Sequence, residues 1–203
     1  MEVGLKSQLL RRRVRLNMAL FRTIQTGQQV TLVDVQNSGA QGIVNIDRTE
    51  FKGAEAEIAA RLAPGLTVSG GITYIDSKIK RFKRAPQFIN NRSPYTPKWS
   101  MAAAVDFETR LTADWRLALH ADYGGQSGLY YEYFGSVRQP AYGLVNLRVG
   151  VQNDRIKVEA FAENAFDEAY YTDVASNFVT GGLGDLGIRG RGSRFEGRVR
   201  LKY

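Results

Sequence analysis

The chain has 203 residues, 43% hydrophobic and 11% aromatic, with 28 basic against 20 acidic side chains and no cysteine. That length holds one sizeable domain, and the missing cysteines exclude a disulfide framework and thiolate metal sites. The formal charge of +8 invites nucleic acid as a partner, but only Arg11–Arg13 and Lys78–Arg84 are dense in basic residues; a nucleic-acid surface gathers them in one patch, so that reading is set aside.

In chain order the dominant signal is a period of two. A weak first strand covers Glu2–Leu10. Val14, Leu16, Met18 and Leu20 then oppose Arg13, Arg15 and Asn17, and Ala54, Ala56, Ile58, Ala60 and Leu62 oppose Glu55, Glu57 and Arg61. Leu66, Val68, Gly70, Ile72 and Tyr74 oppose Thr67, Ser69 and Thr73; Met101, Ala103, Val105 and Phe107 oppose Ser100, Asp106 and Glu108. Trp115 to Tyr123, Val145 to Val151 and Ile156 to Ala162 repeat the pattern. In the last segment Phe195, Gly197, Val199, Leu201 and Tyr203 face away from Arg194, Glu196, Arg198, Arg200 and Lys202. Alternation of this kind marks strands with one apolar and one polar face. No segment carries a sustained helical period with caps. The sequence therefore predicts an all-β chain of about nine antiparallel strands.

Such a strand suits a soluble sheet over a core or, inverted, a membrane barrel with its apolar face to lipid and its charged face to a wet lumen. The connections separate the two. Arg11–Arg13, Ala63–Gly65, Thr112–Asp114 and Gln152–Asp154 are tight turns; between them lie long links at Gln25–Gly42, Phe82–Pro97, Tyr130–Pro140 and Tyr171–Gly192. Antiparallel neighbours put every second connection at the same end, so all short turns share one rim and all long links the other. Outer-membrane barrels have this asymmetry, and each of their strands needs only about 9–11 residues to cross. Trp99, Trp115, Tyr123 and Tyr203 fall near strand ends, as interfacial girdles require. A soluble basic β-sandwich remains the competing reading of the alternation alone.

Several short motifs then resemble the β-barrel of TonB-dependent outer-membrane receptors. Gly53-Ala-Glu-Ala-Glu57, Pro94-Tyr-Thr-Pro97-Lys98, Tyr142-Gly-Leu-Val-Asn146-Leu-Arg148-Val-Gly150 and Asn164-Ala-Phe166-Asp167 with Tyr170 stand in that family's order. The stretch before the last strand departs from the family pattern, keeping only Phe195 in register. Nothing in the chain resembles the family's plug, its TonB box or a signal peptide. The resemblance implies a transmembrane segment made of the last nine strands of a barrel of 22, a fragment or a truncated or split gene product, without its plug. It implies a multi-pass outer-membrane location, contact with outer-membrane lipid and the barrel-assembly machinery, and TonB coupling only through the absent plug. The implied function is receptor-mediated uptake of a bulky scarce ligand such as a ferric siderophore, the alternative being a barrel remnant that does not transport.

Candidate residues follow. Tyr130, Tyr131, Tyr133, Phe134 and Arg138 cluster at the long-link rim, suited either to ligand capture or to an outer aromatic girdle. Arg148, Glu159, Glu163, Arg198 and Arg200 face the lumen, lining the ligand route or pairing across strands. Phe195, Val199, Leu201 and Tyr203 resemble the family's assembly signal. Asn164, Phe166 and Asp167 suit a structural turn at the strand rim. Gly182-Leu-Gly184-Asp-Leu-Gly187 formally fits a dinucleotide fingerprint, but no strand-to-helix context surrounds it. His120, the one histidine, has no accompanying ligand set, and no catalytic constellation, metal site or cofactor is read from the chain.

Overall fold

The computed structural model describes residues 1–34, 40–177 and 180–201. One antiparallel sheet of nine strands dominates. Its strands are β1 (Glu2–Leu9), β2 (Val14–Gln25), β5 (Arg48–Ala63), β6 (Leu66–Arg81), β7 (Trp99–Arg110), β8 (Arg116–Gln126), β11 (Tyr142–Gln152), β12 (Ile156–Glu163) and β15 (Arg194–Leu201), neighbours in that order. Three small hairpins interrupt the long connections: β3 (Gln28–Asp34) with β4 (Ala40–Ile46), β9 (Leu129–Tyr130) with β10 (Arg138–Gln139), and β13 (Tyr171–Ala175) with β14 (Leu186–Arg189). Sequence alternation locates the nine long strands; the hairpins it leaves as unstructured links. A short 3₁₀ turn at Pro86–Phe88 is the only helical element among the described residues.

Register turns the strand patterns into two continuous faces. Leu5 pairs with Met18, Met18 with Ala56, Ala56 with Ile72 and Ile72 with Met101. Further along, Val105 pairs with Ala121, Ala121 with Leu147, Leu147 with Ala162 and Ala162 with Phe195. No polar side chain enters either row. Phe195 is 71% exposed, Val199 66%, Leu20 60% and Leu147 43%, so no described residue covers this face. An apolar surface spanning nine strands far exceeds the few hundred Å² a soluble monomer tolerates. Lipid is the solvent it suits. The lumen-side rows carry Asn17, Glu57, Asp106, His120, Asp122, Arg148, Glu159 and Arg198 in the alternate positions.

The short connections close tightly at one rim. Leu10, Arg11 and Arg12 have φ of 51°, 55° and 67°, and Arg13 N–H donates to the Leu10 carbonyl at 3.1 Å. Gly65 turns with φ of 77°, and Asn153 Oδ1 accepts from the Arg155 and Ile156 amides at 2.9 and 2.7 Å. At the opposite rim β5 and β6 run on to 16 residues each, well past the ~9–11 a bilayer requires. There the outward face changes from apolar to charged: Glu50 pairs with Arg22 and, at 3.1 Å, with Lys52, and Lys78 with Asp76 at 3.6 Å. Just below, Tyr74 and Trp99 lie with centroids 4.7 Å apart, and Lys98 sits 5.5 Å from the Tyr74 ring. Amphipathic rings under a charged collar mark the edge of the hydrocarbon layer.

One motif glycine has a steric reason. A Cβ on Gly53 would overlap both the Phe21 ring and the Tyr74 carbonyl oxygen. The glycine that opens Gly53-Ala-Glu-Ala-Glu57 therefore makes room for a neighbouring aromatic on the lumen side.

The sheet is open. β1 and β15 are its edges and are not paired with each other.

Candidate ligand-binding site

Two surfaces carry the polar chemistry: the lumen wall and a cleft among the long connections. On the wall, His120 Nδ1 lies 2.7 Å from Asp106 and Nε2 lies 3.2 Å from Asp122. Asp122 also accepts from Asn146 at 2.8 Å, and Asn146 Oδ1 accepts from the Asn164 amide at 2.9 Å. This chain of bonds links strands β7, β8, β11 and the end of β12. Among the described residues no group of three or more side chains has the arrangement of a metal site.

Of the lumen residues read from sequence, Glu159 and Arg198 stand opposite each other in register, with Arg148 two positions along the neighbouring strand. Glu159 is buried and bonded by Lys157 at 2.7 Å. Arg198 lies 5.0 Å from the centre of the Phe161 ring, a cation–π contact. Glu163 meets Arg194 at 3.4 Å, and Arg194 reaches Glu196 at 2.7 Å. Arg200 faces Lys157, a like charge. Pairing across and along strands thus engages most of the set, at about 0.2–1 kcal/mol per pair.

The Asn164 turn is a structural hub. Asn164 is 5% exposed with φ of 44°. Its amide group donates to the carbonyls of Glu168 at 3.0 Å and Arg191 at 3.2 Å, and its Oδ1 accepts from the Glu168 amide at 2.9 Å. Asp167 caps the Ser193 amide at 2.9 Å, and Tyr170 stacks on Tyr142 with centroids 4.7 Å apart. The motif fixes the chain's exit from β12 to its return at β15. Phe166 takes no part and is 78% exposed. The glycine stretch 182–187 runs into strand β14, not a helix, so it has no helix N-terminus to hold a phosphate.

The cleft lies on the other rim. The 82–98 connection folds inward, burying Phe82 and Ala85 with Ile46, Ile79 and Tyr133. Tyr133 meets Phe82, Phe88 and Phe134 edge-on or tilted, at 5.4, 5.2 and 5.0 Å between centroids. Beside this core, Tyr131 packs with Leu129 and Val174. Its hydroxyl donates to the Tyr171 carbonyl at 2.7 Å and lies 3.1 Å from Gln139 Oε1, which also accepts the Tyr171 amide at 3.0 Å. Tyr95 crosses from the 82–98 connection to touch the Tyr131 ring at 5.6 Å and donates its hydroxyl to Asp173 at 2.7 Å. Burial and then the Asp173 carboxylate push the Tyr95 hydroxyl up to about 12. Burial likewise raises Tyr131 and Tyr133.

Between these groups opens a cleft of about 330 Å³, bounded by segments 28–31, 94–95, 131–134 and 173–175. Of the five rim residues predicted from sequence, Tyr131, Tyr133 and Phe134 line it; Tyr130 and Arg138 do not, being paired in the β9–β10 hairpin. Tyr131 and Tyr133 are 5% and 3% exposed and packed against other connections. That corrects the girdle reading for these two: they belong to the inter-loop core. Tyr95, Glu132 and Asp173 complete the lining and are not flagged by sequence. Tyr203, expected to end the assembly signal, lies outside the described residues, while Phe195, Val199 and Leu201 all point to the apolar face.

Comparison with known proteins accords with this geometry. The family model described as TonB dependent receptor-like, beta-barrel, matches residues 1–165. The chain belongs to the TonB-dependent receptor family. Its relatives include the ferric-pyoverdine M114 receptor PbuA of Pseudomonas sp. (strain M114), 23% identical over 188 residues, covering 91% of this chain and 22% of that protein. The catecholate siderophore receptor Fiu of Escherichia coli (strain K12) is 28% identical over 183 residues, covering 85% of this chain and 22% of the receptor. Among solved structures, the siderophore receptor PiuA from Acinetobacter baumannii superposes with a TM-score of 0.77 at 18% identity, over all of this chain and 28% of that one. The ferric yersiniabactin uptake receptor FyuA from Yersinia pestis gives 0.77 at 20% identity, over 98% and 28%. The chain thus spans under a third of the receptors it matches. The relatives are receptors, and the family's barrels are barrels of the outer membrane.

Proposed function

We propose that this chain forms the C-terminal wall of an outer-membrane receptor for a bulky iron-carrying ligand of the siderophore type. The single observation that carries this reading is the cleft. Segments from four long connections converge on one rim, above a charged wall, to make an aromatic-lined recess facing the side from which a ligand would arrive. Tyrosines supply large contact area with a polar end, as capture of a bulky polyfunctional ligand demands. Passage would then follow the lumen face past Asp122, Asn146 and Arg148, with energy from TonB delivered through a plug domain. Lipid contacts the apolar face, and insertion would use the barrel-assembly machinery acting on β15.

The test is accumulation of radioactive iron by cells stripped of their own siderophore receptors and expressing the protein. Ferric catecholate, hydroxamate and pyoverdine-type complexes would be supplied in turn. Uptake of at least one, abolished in a strain without TonB, is expected; no TonB-dependent uptake of any of them would overturn the reading. The second reading is a wall that inserts without transporting. Detergent-extractable, folded protein in the membrane with no iron uptake would be its signature. Release from membranes by high salt alone would instead indicate a soluble sandwich.

A further inference from the structure

We propose that the cleft between segments 28–31, 94–95, 131–134 and 173–175 binds a cationic group of the ligand, an alkylammonium or a guanidinium. The inference rests on the receptor reading above and names the chemistry its site selects. The cleft holds about 330 Å³, room for a substituted ammonium head and part of its carrier. Two carboxylates line it, Glu132 and Asp173. Each is held by neutral donors: Glu132 by the Ser136 hydroxyl at 2.6 Å and the Ser176 amide at 3.2 Å, Asp173 by the Tyr95 hydroxyl at 2.7 Å and the Val174 amide at 2.8 Å. Neither forms an ion pair with any described residue. Among the described residues no lysine or arginine lines the cleft, although basic residues outnumber acidic ones by 28 to 20 in the chain. The local field is therefore negative within a positive protein.

The walls add a second, independent preference. The Tyr95 and Tyr131 rings meet edge-on, with an interplanar angle of 75°, and the Tyr133 and Phe134 rings meet at 90°. Tyr95, Tyr131 and Tyr133 line the cleft, and a cation lying over an aromatic face is attracted by the ring quadrupole. Tyr133 is 3% exposed and lines the cleft, yet its hydroxyl has no hydrogen-bond partner among the described residues. Its oxygen is not sealed from solvent, so water or a ligand can reach and bond it. The upward displacement of the Tyr95 and Tyr133 hydroxyls, to which the Glu132 charge contributes, agrees with the negative field. Anionic ligand faces are repelled by the same groups, so the anionic portion of a ferric complex would lie outside this recess.

The experiment uses the protein in detergent micelles and three probes of equal ring size: benzyltrimethylammonium, benzyl alcohol and benzoate, titrated by saturation-transfer NMR. The order expected is cation over alcohol over benzoate. In the Glu132→Gln/Asp173→Asn double variant the amide oxygens still accept the serine, tyrosine and main-chain donors, so the cleft keeps its shape; a heat-modifiable gel shift equal to the parent's verifies this. Affinity for the cation should fall about tenfold, one factor of ten per 1.4 kcal/mol, with the alcohol unchanged. Equal binding of cation and alcohol in the parent, or an undiminished preference in the folded double variant, would overturn the proposal. Iron accumulation reports separately on the receptor reading, which stands if uptake persists while the cation preference is missing.

Discussion

Leu147 offers the sharpest test of which face meets lipid. It is the sixth of the 11 residues of β11, points to the apolar face at 43% exposure, and has only the small Ala121 and Ala162 as register partners. An arginine there would stand near mid-depth with no acidic neighbour on its face. At the midplane of a barrel's lipid face that costs about 2–4 kcal/mol, while near the interface it costs about 0–1. Leu147→Arg should therefore lower the folded-to-unfolded ratio roughly 30- to 900-fold. Val151→Arg, on the same face but beside the Asn153–Arg155 turn, should change it by less than about fivefold on the interfacial figure. Arg148→Leu, one residue away on the lumen face, removes a charge from a wet surface and should cost under about 1 kcal/mol. The assay is urea unfolding in phospholipid vesicles, read by the heat-modifiable band. If Leu147→Arg costs no more than Val151→Arg, or no more than Arg148→Leu, the assignment of faces is wrong.

Other consequences can be measured directly. Asn164→Ala removes three hydrogen bonds from a buried side chain and should destabilise by about 1–3 kcal/mol; the Glu168 amide should exchange faster with solvent, and unchanged protection there would refute the hub. The Tyr95–Asp173 bond depends on pH with a definite sign. The folded hydroxyl titrates near 12 against an ordinary value of about 10, so its contribution is complete below pH ~10 and disappears as pH rises through ~12. Absorbance at 295 nm should show a late-titrating tyrosine that Tyr95→Phe removes, and no difference between the two curves would count against the bond. Tyr203→Ala should reduce the folded protein in outer membranes, because the terminal aromatic strand resembles the family's assembly signal; parental levels of the heat-modifiable form would argue otherwise.

The nine long strands and their faces were legible because lipid on one side and water on the other impose a strict period of two. Val105, Leu147 and Phe195 announce their orientation without any tertiary knowledge. The hairpins above the membrane were not legible. Gln28–Asp34 and Leu186–Arg189 have no lipid on either side, so nothing forces alternation, and their pairing depends on what the neighbouring connections cover. The cleft was legible by half: the run Tyr131-Glu-Tyr133-Phe134 stands out in sequence. Its partners do not, since Tyr95 and Asp173 are 78 residues apart and become neighbours only once the sheet has ordered the connections. The pairing of tyrosines with the loop core was hidden for the same reason.

The collar of charges above Tyr74 and Trp99 sets a dimension. Outward apolar positions run from Ala54 to Leu62 on β5, from Leu66 to Tyr74 on β6 and from Trp99 to Phe107 on β7, and Ala54, Tyr74 and Trp99 lie in one register row. Each run is eight steps, which at ~3.3 Å per residue is roughly 26 Å along the strand. With the usual tilt of about 35–45°, the wettable limits stand only some 19–22 Å apart along the membrane normal. A bilayer with the common ~30 Å hydrocarbon core would have to pinch around this wall, at a fraction of a kcal/mol for each ångström of mismatch. Thinner membranes accept it without deformation, so hydrophobic thickness alone would sort this protein toward the outer membrane, whose core is thinner than average.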